Sequence, residues 1–222
     1  MKGKFITFEG GEGTGKSTQA ATLAEHLQSL GLTVLLTREP GGSAGAEIIR
    51  HVLLSGAAKP LGPEAEAMLF AAARDDHIQC TILPALGAGK WVVCDRFADS
   101  TRVYQGVLGE VDARFINALE RVSVGNLRPD LTFVLDVPVA MGLKRAAGRR
   151  GKQKADRFEA EQFDFHQKLR KAYQALAASE PKRFVVVDAS APKKMVAKRI
   201  WQVVSRRLAL PAAPAALEDV AS

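Results

Sequence analysis

A glycine-rich segment near the amino terminus has the residue types and spacing of a phosphate-binding loop. Glycines allow successive backbone N–H groups to turn towards phosphate oxygens, and the positive end of the following helix favours the same anion. In the pattern G-x-x-x-x-G-K-[ST], the lysine reaches the β- and γ-phosphates and the hydroxyl ligates Mg²⁺. The segment reads Gly10, Gly11, Glu12, Gly13, Thr14, Gly15, Lys16, Ser17 and Thr18. It predicts a nucleotide-binding P-loop, with Lys16 in a catalytic role and Ser17 as a metal ligand.

Charged side chains follow two further apolar segments and add groups that can grip a phosphate. Arg38 follows the segment 33–37, and Asp95 and Arg96 follow the segment 91–94. A carboxylate such as Asp95 can hold Mg²⁺ directly or through water, and the planar guanidinium of Arg96 matches a phosphate. An ordinary surface ion pair is the alternative for Asp95 and Arg96.

Phe70 and Arg74 lie one turn apart on a predicted helix, so their side chains project from the same face. An aromatic ring beside an arginine can stack on a nucleobase and hydrogen-bond its edge. The alternative is a core phenylalanine beside a surface arginine, which is the commoner arrangement.

An arginine-rich stretch around a glycine-containing segment predicts a short mobile lid over residues 145–156. Its cations are Arg145, Arg149, Arg150 and, just beyond, Arg157. Phosphoryl transfer builds negative charge on the transferred oxygens, and arginines on a mobile segment can neutralise that charge.

Strand-like and helix-like segments alternate along the chain, which predicts an α/β fold. The strands are short and apolar, so we expect a five-stranded parallel sheet with helices on both faces and ligands beyond the carboxyl ends of its strands. The predicted strands are residues 5–9, 33–37, 91–94, 131–135 and 184–187. The predicted helices are residues 15–30, 46–54, 64–86, 112–124, a segment from residue 138, 157–178 and 193–208. We expect one domain, residues 1–210, and a disordered Ala/Pro-rich tail, residues 211–222.

Length and composition indicate a globular protein. The 222 residues are 47% hydrophobic and 25% charged, which is enough for a sizeable core. No apolar run reaches the ~18 residues of a membrane helix, so we expect no membrane partner. The first strand starts too early for a signal peptide, and Cys80 and Cys94 make neither a disulfide framework nor a metal set. These features predict a cytoplasmic location.

The net charge of +7 raises nucleic acid as a partner. The excess is local, because residues 144–207 carry +12 and the rest of the chain carries −5. A basic region of this kind can bind DNA or a small dense anion such as ATP. Aromatic residues are not interleaved with it as single-strand binding requires, and solvated helix faces account for most of the charge. We therefore expect no nucleic-acid partner.

The motifs, taken in this order, resemble those of bacterial thymidylate kinases from Phe5 to about Leu208. The P-loop alone indicates NTP binding, whereas Arg-Glu-Pro-Gly-Gly after the second strand and Asp-Arg-Phe after the third are far more specific. The matching segments are residues 8–18; 37–42 with Arg50; 69–72 with Arg74 and His77; 95–97 with Ser100, Tyr104, Gln105 and Gly106; 129–132; 135–136; and 156–159.

This resemblance implies a P-loop NTPase fold that transfers the γ-phosphoryl group of Mg·ATP to dTMP, with Mg²⁺ held by Ser17 and Asp95. It also implies contacts for dTMP. These are Phe70 stacked on thymine, Arg74 at its O4 edge, Ser100 and Gln105 lining the base pocket, Tyr104 beneath the deoxyribose, Arg38, Arg50 and Arg96 on the phosphate, and Glu12 near the 3′-OH.

The resemblance also indicates how the catalytic arginine is supplied. Some relatives carry it in the P-loop, where this chain has Thr14, and others carry it in the lid, which is arginine-rich here. We therefore expect the lid-supplied type, with Arg149 preferred and Arg145 and Arg150 next. A homodimer is implied too, and the Ala-rich helix 64–86 could supply its close-packed face.

Two other functions stay open at this point. The chain could be another nucleoside monophosphate kinase, acting on a purine or cytidine nucleotide. It could also be a nucleic-acid-stimulated P-loop ATPase or a nucleotide-sensing switch, although no apolar run ending in Asp-Glu follows the P-loop.

Overall fold

A five-stranded parallel sheet forms the centre of the fold in the computed structural model, which describes residues 3–151, 158–159, 161–208 and 210. The strand order is β2-β3-β1-β4-β5, and every neighbouring pair is parallel. The strands are β1 (Phe5–Glu9), β2 (Val34–Arg38), β3 (Trp91–Asp95), β4 (Leu131–Asp136) and β5 (Phe184–Asp188). The predicted five-stranded parallel sheet is confirmed.

Helices cover both faces of this sheet. They are α1 (Lys16–Ser29), α2 (Ala44–Ser55), α3 (Gly62–His77), α4 (Leu83–Gly87), α5 (Ala98–Thr101), α6 (Ala113–Ser123), α7 (Val139–Arg150), α8 (Phe163–Ser179) and α9 (Lys193–Arg207). Within the described part of the chain, none of the helices is both long and apolar enough to cross a membrane. The predicted tail, residues 211–222, lies outside the described residues.

Three helical segments differ from the sequence-based prediction. The predicted helix 64–86 is interrupted by a π-helical turn, Ile78–Ile82, between α3 and α4. The stretch after β3, for which no secondary structure was predicted, forms α5 and then a π-helical turn, Arg102–Leu108. The last difference is that α8 begins at residue 163 rather than 157, because residues 158–159 form a turn in which the Phe158 ring packs on Tyr104.

The side chains of β1 alternate between two different environments. Ile6 and Phe8 belong to the core under α1 and α9, and Phe5 belongs to the core under the π-helical turn before α4. Thr7 and Glu9 share the Phe5 face because side chains alternate along a strand. The Thr7 hydroxyl lies 2.7 Å from that of Thr132 in β4. This face therefore combines an apolar core with buried polar groups near the carboxyl end of the sheet.

A glycine-to-glycine contact fixes α7 against the P-loop. Gly13 lies in the loop and Gly142 lies in α7, and both positions lack room for a side chain. A Cβ at Gly13 would lie 1.9 Å from the carbonyl oxygen of Gly142, and a Cβ at Gly142 would lie 2.6 Å from that of Glu12. The backbone of α7 is therefore in direct contact with the phosphate-binding loop.

We predict that Gly142→Ala destabilises the protein by about 2 kcal/mol, because the added methyl group must displace backbone atoms. It should also weaken ATP binding through the distorted P-loop. Gly148→Ala is the matched control in the same helix, since a Cβ there meets nothing within 4 Å. That variant should gain up to about 1 kcal/mol from the better helix propensity of alanine. Urea unfolding and ATP titration measure both effects, and equal stabilities for the two variants would contradict the contact.

Candidate active site

The predicted site residues meet at the carboxyl edge of the sheet. Parallel pairing places Phe8 of β1 beside Asp95 of β3, so the loops that leave these strands are neighbours. The loop after β1 is the P-loop, and the loop after β3 carries Arg96. A cleft of about 350 Å³ opens beside both loops.

The P-loop wraps around the ammonium group of Lys16. Gly10, Gly13 and Gly15 have φ angles of 132°, 67° and 97°, which residues with a Cβ rarely adopt. Lys16 Nζ donates to the carbonyl oxygens of Gly10 at 3.0 Å and Gly11 at 2.6 Å. Burial, reinforced by the charge of Arg96, lowers the pKa of Lys16 to about 8. A phosphate placed in the loop would stabilise the charged form of this lysine.

Ser17 and Asp95 bring oxygen ligands together at the start of α1. The Ser17 hydroxyl donates to Asp95 Oδ2, whereas Asp95 Oδ1 is buried without a hydrogen-bond partner. Mg²⁺ prefers such oxygens and completes its shell with water and phosphate oxygens. No cluster of three or more His, Cys, Asp or Glu side chains in the described ranges could hold a metal alone. The donor set fits a magnesium ion shared with a nucleotide.

Arg96 connects the P-loop to the cleft. Its φ angle of 71° is left-handed, a conformation that is uncommon for a residue with a Cβ. Its Nη2 donates to Glu12 Oε1 at 2.5 Å, and its Nη1 donates to the carbonyl oxygen of Gly10 at 3.3 Å. The guanidinium carbon lies 5.3 Å from the ring centroid of Tyr104, within the range of a cation–π interaction.

Glu12 is the carboxylate that balances the cations around the P-loop. Burial by itself would raise its pKa, but the charges of Arg96 and Lys16 outweigh burial and lower the pKa to about 2. Tyr104 also donates a hydrogen bond to Glu12 Oε1 at 3.1 Å, and the charge of Arg149 acts in the same direction. Glu12 is therefore ionised at neutral pH.

The structure brings every predicted substrate-binding residue into this cleft. Its lining includes Glu12, Arg38, Arg50, Phe70, Arg74, Arg96, Ser100, Tyr104 and Gln105. Three aromatic rings lie close together in this cleft, since the Phe158 centroid is 5.1 Å from that of Tyr104 and 6.3 Å from that of Phe70. Arginines and aromatic rings thus line one continuous space.

A buried chain of hydrogen bonds holds Arg74 in place. Its Nε donates to Glu39 Oε2 at 2.8 Å, and its Nη2 donates to Thr101 Oγ1 at 3.0 Å. The other oxygen of Glu39 lies 3.1 Å from His77 Nδ1, and His77 Nε2 lies 2.7 Å from Thr37 Oγ1. The orientation of Arg74 is therefore fixed before any ligand arrives.

Two of the predicted lid arginines share one carboxylate. Arg149 Nη2 donates to Glu159 Oε1 at 2.7 Å, and Arg150 Nη1 donates to Glu159 Oε2 at 2.9 Å. Of these two arginines, Arg149 also lines the cleft. The turn at residues 158–159 therefore contributes Phe158 to the cleft and Glu159 to the lid arginines.

The other two predicted lid arginines are placed differently. Arg145 donates to the carbonyl oxygens of Ala189 at 2.9 Å and Ser190 at 3.2 Å, which follow β5 and do not line the cleft. Arg157 lies outside the described residues, as do residues 152–156 of the predicted lid. The structure thus separates Arg145 from the pair Arg149 and Arg150.

Sequence reasoning assigned no role to several residues that shape the site. Glu39 and Phe158 lie in the matching segments 37–42 and 156–159 and received no role of their own. Glu9 lies in the segment 8–18, at the end of β1, and the signal for its role is that a carboxylate at the end of a buried strand requires partners. Tyr173 gave no signal, because its hydrogen bond to Glu9 joins residues 164 positions apart.

Comparisons with known proteins agree on one family. A family model described as thymidylate kinase matches residues 8–200. A thymidylate kinase of Nitrobacter winogradskyi is 62% identical over 93% of this chain and 90% of that relative. One from Afipia carboxidovorans is 61% identical over 94% of this chain and 91% of that relative.

The fold agrees with these sequence comparisons. The structure matches the crystal structure of thymidylate kinase from Ehrlichia chaffeensis with a TM-score of 0.74 and 30% sequence identity. The match covers 92% of this chain and 100% of the other. The predicted P-loop NTPase fold is therefore confirmed.

Proposed function

The chain belongs to the thymidylate kinase family, and from this premise we propose how its cleft transfers the γ-phosphoryl group of ATP to dTMP, giving ADP and dTDP for dTTP synthesis. The observation that carries the proposal is the shared position of Glu12, Lys16 and Arg96. These three side chains line the same cleft as the aromatic rings. The γ-phosphate of ATP in the P-loop and the phosphate of dTMP beside the rings would therefore lie next to each other, close to Glu12, Lys16 and Arg96.

The donor side of the cleft is the P-loop, residues 10–18. Its inward backbone N–H groups and the start of α1 would hold the phosphates of ATP. Lys16 would exchange its bonds to two loop carbonyls for bonds to the β- and γ-phosphates. Ser17 and Asp95 would hold Mg²⁺, which supplies neutralising charge on the phosphate oxygens.

The acceptor side consists of the rings and the remaining arginines. Phe70 would stack on thymine. The guanidinium of Arg74, already held in place by Glu39 and Thr101, would donate to the O4 edge of thymine. Ser100 and Gln105 would line the base pocket, and Tyr104 would lie beneath the deoxyribose, where a ribose 2′-OH would clash. A final set would bind the rest of dTMP, namely Arg38, Arg50 and Arg96 at the phosphate and Glu12 at the 3′-OH.

The transfer itself needs alignment and charge neutralisation more than proton transfer. The acceptor oxygen belongs to a phosphate that is already anionic near neutral pH, so no general base is required. Lys16 and Arg96 would hold the two phosphates close together, and Arg149 would face the charge that builds on the transferred group. Closure of the lid over the site would exclude water and so limit ATP hydrolysis.

An acceptor panel tests this function. With Mg·ATP, ADP release should depend on dTMP and be far slower with AMP, GMP and CMP. Purines are larger than thymine, and cytosine presents an amino donor to Arg74 where thymine presents the acceptor O4. Dependence on another monophosphate would keep the kinase reaction but overturn the acceptor pocket. ADP release that needs no monophosphate, or that rises with DNA, would favour the ATPase alternative.

We predict that Arg149→Ala lowers kcat by about 10³-fold, in analogy with arginine fingers. Arg145→Ala should lower it by less than about tenfold, because Arg145 is bonded to carbonyl oxygens after β5 rather than lining the cleft. Arg114→Ala controls for the loss of one positive charge, since Arg114 is an exposed arginine of α6. Steady-state kinetics with saturating dTMP measure all three variants, and a larger loss for Arg145→Ala would reverse the assignment.

A homodimer is the proposed assembly, and its face on the predicted helix 64–86 stays a prediction. Of the alanines of α3, Ala67, Ala71 and Ala73 are buried within the protomer, whereas Ala72 is exposed. Ile48 of α2 and Met68 of α3 are also 71% and 49% exposed, and α2 packs against α3. Light scattering should give twice the mass of the chain, and Ile48→Glu should reduce that mass to one chain.

The cytoplasmic location and the lack of a nucleic-acid partner stay predictions.

A further inference from the structure

Glu9 is a buried carboxylate that takes no direct part in the proposed transfer. It is fully buried at the end of β1 and makes no ion pair within the described part of the chain. Its Oε1 accepts from the backbone N–H of Phe97 at 2.8 Å. Its Oε2 accepts from the hydroxyls of Ser100 at 2.7 Å and Tyr173 at 3.0 Å. Burial raises the pKa of Glu9 to about 7, so these hydrogen bonds bear on whether it stays charged.

The hydrogen bond from Phe97 fixes the turn that carries Arg96. The N–H of Arg96 donates to the carbonyl oxygen of Phe8 at 2.8 Å, and the next N–H donates to Glu9. Two successive residues of β1 therefore hold two successive N–H groups around the left-handed residue. Such a conformation persists only where the surroundings determine it strongly, and here the end of β1 does so.

The hydroxyls of Ser100 and Tyr173 connect Glu9 to the guanidinium of Arg96. Both hydroxyls lie within hydrogen-bond distance of Glu9 Oε2, and their oxygens lie 3.0 Å apart. A hydroxyl that donates its one proton to Glu9 keeps its oxygen as an acceptor. Arg96 Nη1 lies 3.4 Å from both oxygens. The carboxyl group of Glu9 thus reaches the guanidinium through two hydroxyls, while Glu12 contacts it directly.

Tyr173 brings a distant helix into this arrangement. It lies on α8, which follows the lid arginines in sequence, and its side chain is almost fully buried. Its hydroxyl contacts Glu9, Ser100 and Arg96. The orientation of Arg96 therefore depends on the position of α8 as well as on β1.

We propose that Tyr173 and Glu9 are positioning residues for dTMP, because they hold the guanidinium of Arg96 in the orientation that receives the acceptor phosphate. The inference rests on the proposed role of Arg96 in binding that phosphate. It assigns neither residue a contact with dTMP, so their effect must appear in acceptor binding and must pass through Arg96.

The test is Tyr173→Phe, which removes one hydroxyl and keeps the buried ring. The KM for dTMP should rise about 10-fold, the size expected for a lost hydrogen bond in a charged network, while the KM for ATP stays within about twofold. Combined with Arg96→Lys, the variant should cost less than the product of the separate effects, since both act on one interaction. Glu9→Gln, of nearly the same shape, is the second variant and should give the same dTMP-selective loss.

Ser123→Ala is the matched control for losing a buried hydroxyl, because Ser123 bonds Leu119 in α6. Its KM for dTMP should equal that of the wild type. Unchanged dTMP binding in Tyr173→Phe, or equal rises in both KM values, would overturn the inference. If Arg96→Lys itself left dTMP binding unchanged, the role of Arg96 in the proposed function would fail first.

Discussion

The whole site depends on one interaction, the contact between the guanidinium of Arg96 and the carboxylate of Glu12. Arg96 lies in the loop that follows β3, and Glu12 lies in the P-loop that follows β1. Their contact connects the two loops. Both groups are largely removed from water, and the charge of Arg96, together with that of Lys16, lowers the pKa of Glu12 to about 2. A buried pair of this kind contributes little net stability, but it fixes where an incoming phosphate finds positive charge.

The parallel sheet makes this contact possible. β1 lies at the centre of the sheet between β3 and β4, so its carboxyl end is surrounded by the loops of its neighbours. The P-loop emerges there and is pressed against α7 by Gly13 and Gly142. The face of β1 that carries Glu9 then connects the turn at Arg96 to α8. A single strand, β1, thereby connects the P-loop, the cleft and α8.

Most of the fold could be predicted from the sequence. Short apolar runs separated by helical patterns indicate a parallel sheet, whichever apolar residues the runs contain. The P-loop, with Lys16 and Ser17, could also be predicted, because this motif is formed by residues that are neighbours in sequence. The start of α8 could not be predicted from the sequence. Phe158 packs on the ring of Tyr104, more than fifty positions earlier, and this contact overrides local helix propensity. For the same reason no pattern revealed Tyr173, whose importance comes from a hydrogen bond to Glu9 across most of the chain.

Arg74 shows a different limit of sequence reasoning. Its spacing from Phe70 predicted a shared face, and both residues do line the cleft. The spacing gave no information on Glu39, which accepts a hydrogen bond from the guanidinium, or on His77, which contacts Glu39 in turn. Glu39 and His77 lie in the matching segments, but their hold on Arg74 depends on contacts that only the folded structure shows.

The most direct test of the account follows the γ-phosphoryl group itself. ATP labelled at the γ-phosphate, with Mg²⁺ and the enzyme, should release little inorganic phosphate until dTMP is added. The label should then appear in dTDP in a one-to-one ratio with the ADP formed. Release of the label as inorganic phosphate at the same rate with and without dTMP would contradict the central claim that the P-loop and the aromatic cleft form one site.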